Sequence, residues 1–144
     1  MKSQCQKLIP LALVLVLTGA SGIDLPPLIE AAKNTEWVVV QNLLEEGADP
    51  TVTAPDGATA LHWASYWDEV EVAELLIQNG ADVNAANELG ATPLWSASLN
   101  GSVDMVWSLL AAGADPDAAL LSGEAPVMTA ARTGNPEVLE LILN

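Results

Sequence analysis

Apolar residues along this chain return at steps of three and four, in short runs that glycine interrupts, and they do not alternate singly as a half-buried strand requires. The clearest run spans Val70–Asn79, where Val70, Ala73, Leu76 and Ile77 are expected to form one apolar stripe of a helix. Gly80 should end that helix, since glycine adopts the left-handed conformation past a last turn most easily. A shorter helix is predicted after Thr92. Its hydroxyl can cap the first turn, and Pro93 falls at the first helical position, where a missing N–H costs nothing. Leu94, Ala97 and Ser98 give that helix a small-residue face. Ala81-Asp82-Val83-Asn84-Ala85 is polar and turn-forming, with no long strand. The local order is therefore turn, helix, turn, helix.

That order repeats. Residues 56–67 are DGATALHWASYW and residues 89–100 are LGATPLWSASLN. Gly57, Gly90 and Gly123 recur every 33 residues, and so do Gly47, Gly80 and Gly113, each of the latter followed by Ala-Asp. The pairs Leu43-Leu44, Leu76-Ile77, Leu109-Leu110 and Ile142-Leu143 keep the same step. Unrelated features sharing one period indicate a repeat array, in which no unit can bury its own apolar stripe and neighbours must stack. The stretches Gly57-x-Thr59-Ala60-Leu61-His62-x-Ala64, Gly90-x-Thr92-Pro93-Leu94 and Gly80-Ala81-Asp82-Val83-Asn84-Ala85 resemble ankyrin repeats. The resemblance covers nearly everything after Asp24. It implies an all-α solenoid of helix–turn–helix units with hairpin turns: a degenerate first unit (about 24–55), two good units (56–88 and 89–121) and a partial fourth (122–144).

The departures from the family pattern are informative. Its Thr-Pro-Leu-His tetrapeptide is nowhere complete: Ala60 replaces proline in the second unit and Trp95 replaces histidine in the third. The fourth unit has Ala125 and Met128 at the threonine and histidine positions, and the first has Pro26 and Ile29. Thr–His bonding between units is therefore expected to be partial, with about 1 kcal/mol lost per missing cap. Thr35 and Asp68 stand where Gly101 and Gly134 occupy the turn between helices. The last helix carries only Glu137, Glu140 and Asn144 as polar cover, so either the fourth unit is a minimal cap or, as the balance suggests, the natural chain continues past Asn144.

Charge narrows the function. The chain has 4 Lys+Arg against 19 Asp+Glu, for a formal net charge of −15. From Asp24 onward only Lys33 and Arg132 oppose all the acids, a balance that repels nucleic acid and anionic headgroups. The other two cations, Lys2 and Lys7, precede an apolar run from Leu8 to Leu17 and then small residues. This is the layout of a secretory signal peptide over 1–22, too short to span a bilayer. The expectation is export to the periplasm or beyond, with no stable membrane span after cleavage. Removal of that leader also removes Cys5, the only cysteine, leaving no thiol or disulfide chemistry.

No catalytic constellation emerges, and no cofactor or metal is expected. His62 is the sole histidine and is accounted for by the tetrapeptide, so neither a zinc site nor a triad can be assembled. Asp82-x-Asn84 and Asp115-x-Asp117 look like turn-stabilising groups, because a calcium loop counted from Asp115 would place Leu120 and Pro126 at its glycine and glutamate positions. Five tryptophans and no phenylalanine remain to be explained. Trp63 and Trp95 are expected in the core and Trp37 on the second-helix stripe. Trp107, in the column of Glu74, is expected either on the surface or half-covered by a partner. The resemblance places the end of each first helix on the concave groove: Tyr66, Leu99 and Arg132 in one column, Trp67 and Asn100 in the next. It places the turn residues Asp56, Ala58, Glu88 and Leu89 there too. The implied function is a noncatalytic, monomeric module that binds a protein partner through an apolar patch of Tyr66, Trp67, Leu89 and Leu99 rimmed by acids, the partner's own patch being apolar with a basic rim. The alternative is that these repeats form the targeting or protective part of a larger enzyme or envelope complex.

Overall fold

The computed structural model describes residues 24–144. The expected leader over 1–22, Cys5 included, lies outside the described residues. Among the described residues the chain forms eight helices and no strands. In chain order they are α1 (Pro27–Lys33), α2 (Trp37–Glu45), α3 (Ala60–Tyr66), α4 (Val70–Gln78), α5 (Pro93–Asn100), α6 (Val103–Ala111), α7 (Pro126–Thr133) and α8 (Pro136–Leu143). They pair as α1/α2, α3/α4, α5/α6 and α7/α8. The first helices stack as one layer, α1 on α3 on α5 on α7, and the second helices as another, α2 on α4 on α6 on α8. Contacts run between sequence neighbours and between adjacent pairs, which is the quasi-linear packing that a repeated short helix pair imposes.

The core follows the 33-residue columns. Leu28, Leu61 and Leu94 are buried at equivalent places in the first three pairs. On the second helices the buried columns are Val72/Met105/Val138, Val40/Ala73/Val106 and Leu76/Leu109/Ile142. The stripe of α4 differs from its expected form: Val72, Ala73 and Leu76 face the interior, while Val70 and Ile77 flank it half-buried. Positions i, i+1 and i+4 point to one side of a helix squeezed between its own first helix and its neighbours, so the stripe is rotated by about one residue. Trp63 and Trp37 pack against the core only half-buried, and Trp95 is also only half-buried; full burial does not occur for any of the three.

Local chemistry sets each helix start. Extended Thr59 and Thr92 cap α3 and α5 through their hydroxyls, which accept the N–H of His62 and Trp95. Ala125 leaves α7 without a side-chain cap. Ser102 and Asn135 cap α6 and α8, accepting the N–H of Met105 and Glu137. In the turn inside each pair, Gly101 and Gly134 are left-handed, and Thr35 and Asp68 are forced into the same region at φ 60°. A β-branched threonine there is strained by roughly 1 kcal/mol or more. Gly90 is required twice over, because its φ is +81° and an added Cβ would approach the Leu121 nitrogen to 3.0 Å and the Leu120 Cα to 3.1 Å. Gly57 and Gly90 thus mark where one turn tip lies against the next.

Candidate functional site

The candidate docking residues are positioned by hydrogen bonds between adjacent pairs. His62 is the strongest tie. Its Nδ1 accepts the Thr59 N–H at 3.1 Å, which leaves the proton on Nε2, and that N–H donates to the Ala91 carbonyl of the next repeat at 2.8 Å. The Thr59 hydroxyl lies 2.9 Å from Nδ1 and accepts the His62 N–H, completing a capping box. Burial holds the imidazole below its ordinary pKa, outweighing the Ala91 bond and the charge of Asp56, which both pull upward. His62 is therefore a neutral structural group.

Two clusters of the expected site residues stand on this frame. At the turn tips, the Glu88 N–H donates to the Asp56 carbonyl at 2.8 Å, and the Leu121 N–H donates to the Leu89 carbonyl at 2.9 Å. Asp56 and Glu88 are exposed, and Leu89 projects with 69% of its surface free. At the far ends of the first helices, Tyr66 and Trp67 are each 48% exposed. Their rings meet edge to face at 5.1 Å and 85°, and Tyr66 meets Trp63 the same way at 6.3 Å and 81°. Asn100 closes this end, donating its amide to the Ser65 carbonyl at 3.1 Å and to the Tyr66 carbonyl. The single patch expected from the sequence is thus two patches, separated by the length of a seven-residue helix, roughly 10 Å at 1.5 Å per residue.

Three of the expected contact residues have other employment. Ala58 is a correction: it is 5% exposed, its N–H donates to the Asp56 carboxylate at 3.0 Å, and it offers no side chain to a partner. The Asn100 amide is committed to α3. Arg132 is exposed but pairs with Glu124 at 2.9 Å, and Glu124 also accepts the Thr129 hydroxyl at 2.8 Å. Leu99 is half-buried.

The acidic turns are structural in the way their spacing suggests. Asp82 accepts the Asn84 N–H and Asp115 the Asp117 N–H, each at 2.9 Å. Asp49 does the same for Thr51, whose hydroxyl and then N–H hold the carboxyl below its ordinary pKa. Among the described residues no three His, Cys, Asp or Glu side chains converge on a metal-sized site. No described helix is long and apolar enough to cross a membrane.

A family model described as ankyrin repeats (3 copies) matches residues 28–120. The chain belongs to the ankyrin repeat family. Among curated proteins no match is found. Ankyrin repeats are generally protein–protein interaction modules, and the family is typically noncatalytic. This ankyrin array also exposes apolar residues that repeat logic alone did not single out. Leu121 extends the tip row beyond Leu89, and Met128 lies open on α7. Leu121 stands in a column with Pro55 and Glu88, and Met128 in one with Ile29, His62 and Trp95.

Proposed function

We propose that this ankyrin array is a noncatalytic module that holds a partner protein on the face made by its turn tips and first helices, the concave side of such a stack. The observation that carries this reading is the Tyr66–Trp67 pair: two large rings, half-exposed and fixed edge to face, at positions where stacking needs no aromatic residue. Equivalent places in the next repeats hold Leu99-Asn100 and Arg132-Thr133. Preorganised aromatics lose little freedom on binding and dominate the energetics of many interfaces. Asp68 and Glu69 follow directly, so a partner patch with an apolar centre and a basic edge fits best.

Replacing Trp67 by alanine should leave the far-ultraviolet helical signal unchanged and weaken capture of the partner from the native cell extract tenfold or more. Equal capture by Trp67→Ala and the unaltered protein would move docking to another face. The tips make a second, separable part of the same face, and Leu89→Asp should weaken capture independently. The alternative, that the repeats target a larger complex, is favoured by the open apolar residues Leu121, at the end of the third repeat, and Met128 on the fourth. A partner lost in Met128→Glu but retained in Trp67→Ala would select it. We further propose that the protein is exported, on the support of the Lys2, Lys7 and Leu8–Leu17 leader pattern. Fusion of residues 1–22 to a reporter enzyme active only outside the cytoplasm tests export.

A further inference from the structure

The second-helix layer carries an open groove of about 490 Å³ between α6 and α8. Val103, Asp104 and Trp107 line it from α6, and Glu137, Glu140 and Leu141 from α8. Each set lies on one helical face through its three- and four-residue steps. The preceding groove, between α4 and α6, shows why this one is open. There the Ser108 hydroxyl donates to Glu74 Oε1 at 2.8 Å and ties the two helices together. One repeat further on, the same two columns hold Trp107 and Leu141, which cannot form that bond.

The groove therefore pairs an indole, 59% exposed, with an aliphatic neighbour and three carboxylates. Among the described residues none of these acids forms an ion pair: the one pair there joins Arg132 to Glu124 on and before α7. Nor do acids converge there on a metal-sized site. What is absent is a positive group on a long apolar stem. Arginine meets each part of that requirement. Its guanidinium stacks on indole, its planar N–H groups suit carboxylates, and its methylene stem covers aliphatic surface.

We propose that this groove is a second docking site, taking a short segment of a partner protein in which an arginine stands next to an aliphatic residue. The arginine lies over Trp107 within reach of Glu137 and Glu140, and its neighbour covers Leu141 and Val103. The site is on the other helix layer from the tip face, so its occupancy does not depend on the function proposed above.

The test uses the whole protein, labelled with nitrogen-15, and a blocked tetrapeptide of alternating arginine and leucine. The peptide should move the Trp107 indole signal and the amides of 103–107 and 137–141 saturably. The same peptide with citrulline for arginine should bind at least fivefold more weakly. Trp107→Ala should weaken binding about fivefold or more, and Glu137→Gln with Glu140→Gln about as much. The charge-matched pair Glu45→Gln and Glu46→Gln at the C-terminal end of α2 should leave the affinity unchanged, which separates the groove from the general negative field. Unsaturable shifts spread over the surface, full affinity in Trp107→Ala, or equal loss in the two charge-matched pairs would each overturn the proposal.

Discussion

The seam between the second and third repeats and the seam between the third and fourth have the same geometry and different chemistry. At the first, His62 bonds Ala91, Asn100 bonds the end of α3, Ser108 bonds Glu74, and Asn84 bonds both the Gly113 carbonyl (3.0 Å) and the Asp115 N–H (2.7 Å). At the second, Trp95 takes the histidine column and its indole N–H is buried without a partner. The Asn135 amide to the Gly101 carbonyl, at 2.9 Å, is the side-chain tie that remains. Stacking is thus specified by the apolar columns and the tip glycines. The polar ties decide how firmly each layer is held.

The largest test of this contrast is His62→Ala, which removes the capping box and the Ala91 bond and leaves a void in a buried seam. A loss of roughly 3 kcal/mol is expected in urea unfolding, against about 1 kcal/mol or less for Trp95→His, where lost aromatic contact is offset by a new pair of bonds. Comparable losses from the two substitutions would mean that the seams are not chemically distinct. Thr59→Ala comes next, at about 1 kcal/mol for its cap.

The same seam gives a pH dependence with a definite sign. The folded state holds His62 below its ordinary pKa of 6.5, so it favours the neutral ring. The unfolded chain binds the proton more readily, and stability is full above about 6.5 and declines as pH falls from there toward the folded value. Protonation at Nδ1 also destroys the acceptor for the Thr59 N–H. Chemical denaturation at pH 7.5 and pH 5.5 should show this decline in the natural protein, and Thr59→Ala should retain part of it. His62→Ala should remove His62's share of the slope, and an unchanged slope would assign the pH dependence to the carboxylates. The smallest effect is a gain: Thr35→Gly releases a left-handed threonine and should stabilise the protein by about 1 kcal/mol.

The period, the helix pairs, the cap at Thr92 and the non-glycine turns at Thr35 and Asp68 were all legible in the sequence, because each depends on residues a few positions apart or on a fixed step. The docking residues were less so. Ala58 is buried because its N–H folds back onto the Asp56 carboxylate, and Asn100 is spent on carbonyls 34 and 35 residues away. The Ala58 bond closes a two-residue turn like those at Asp82 and Asp115, whereas the Asn100 bonds are not written in local spacing. Nor was the division of one expected patch into two, since the columns of Leu89 and Trp67 share a repeat but lie at opposite ends of a first helix. Trp107 stood out in a column of Gln41, Glu74 and Glu140, yet its groove needed the facing helix to become visible.

Residue-resolved amide hydrogen exchange under native conditions tests the unequal seams most directly. Amides of α3, α4 and α5 should exchange only through the largest opening of the molecule, while α7 and α8 should exchange together through a smaller one that leaves the rest folded. Equal protection of α7 and α3, unchanged when His62 is replaced by alanine, would contradict that ordering.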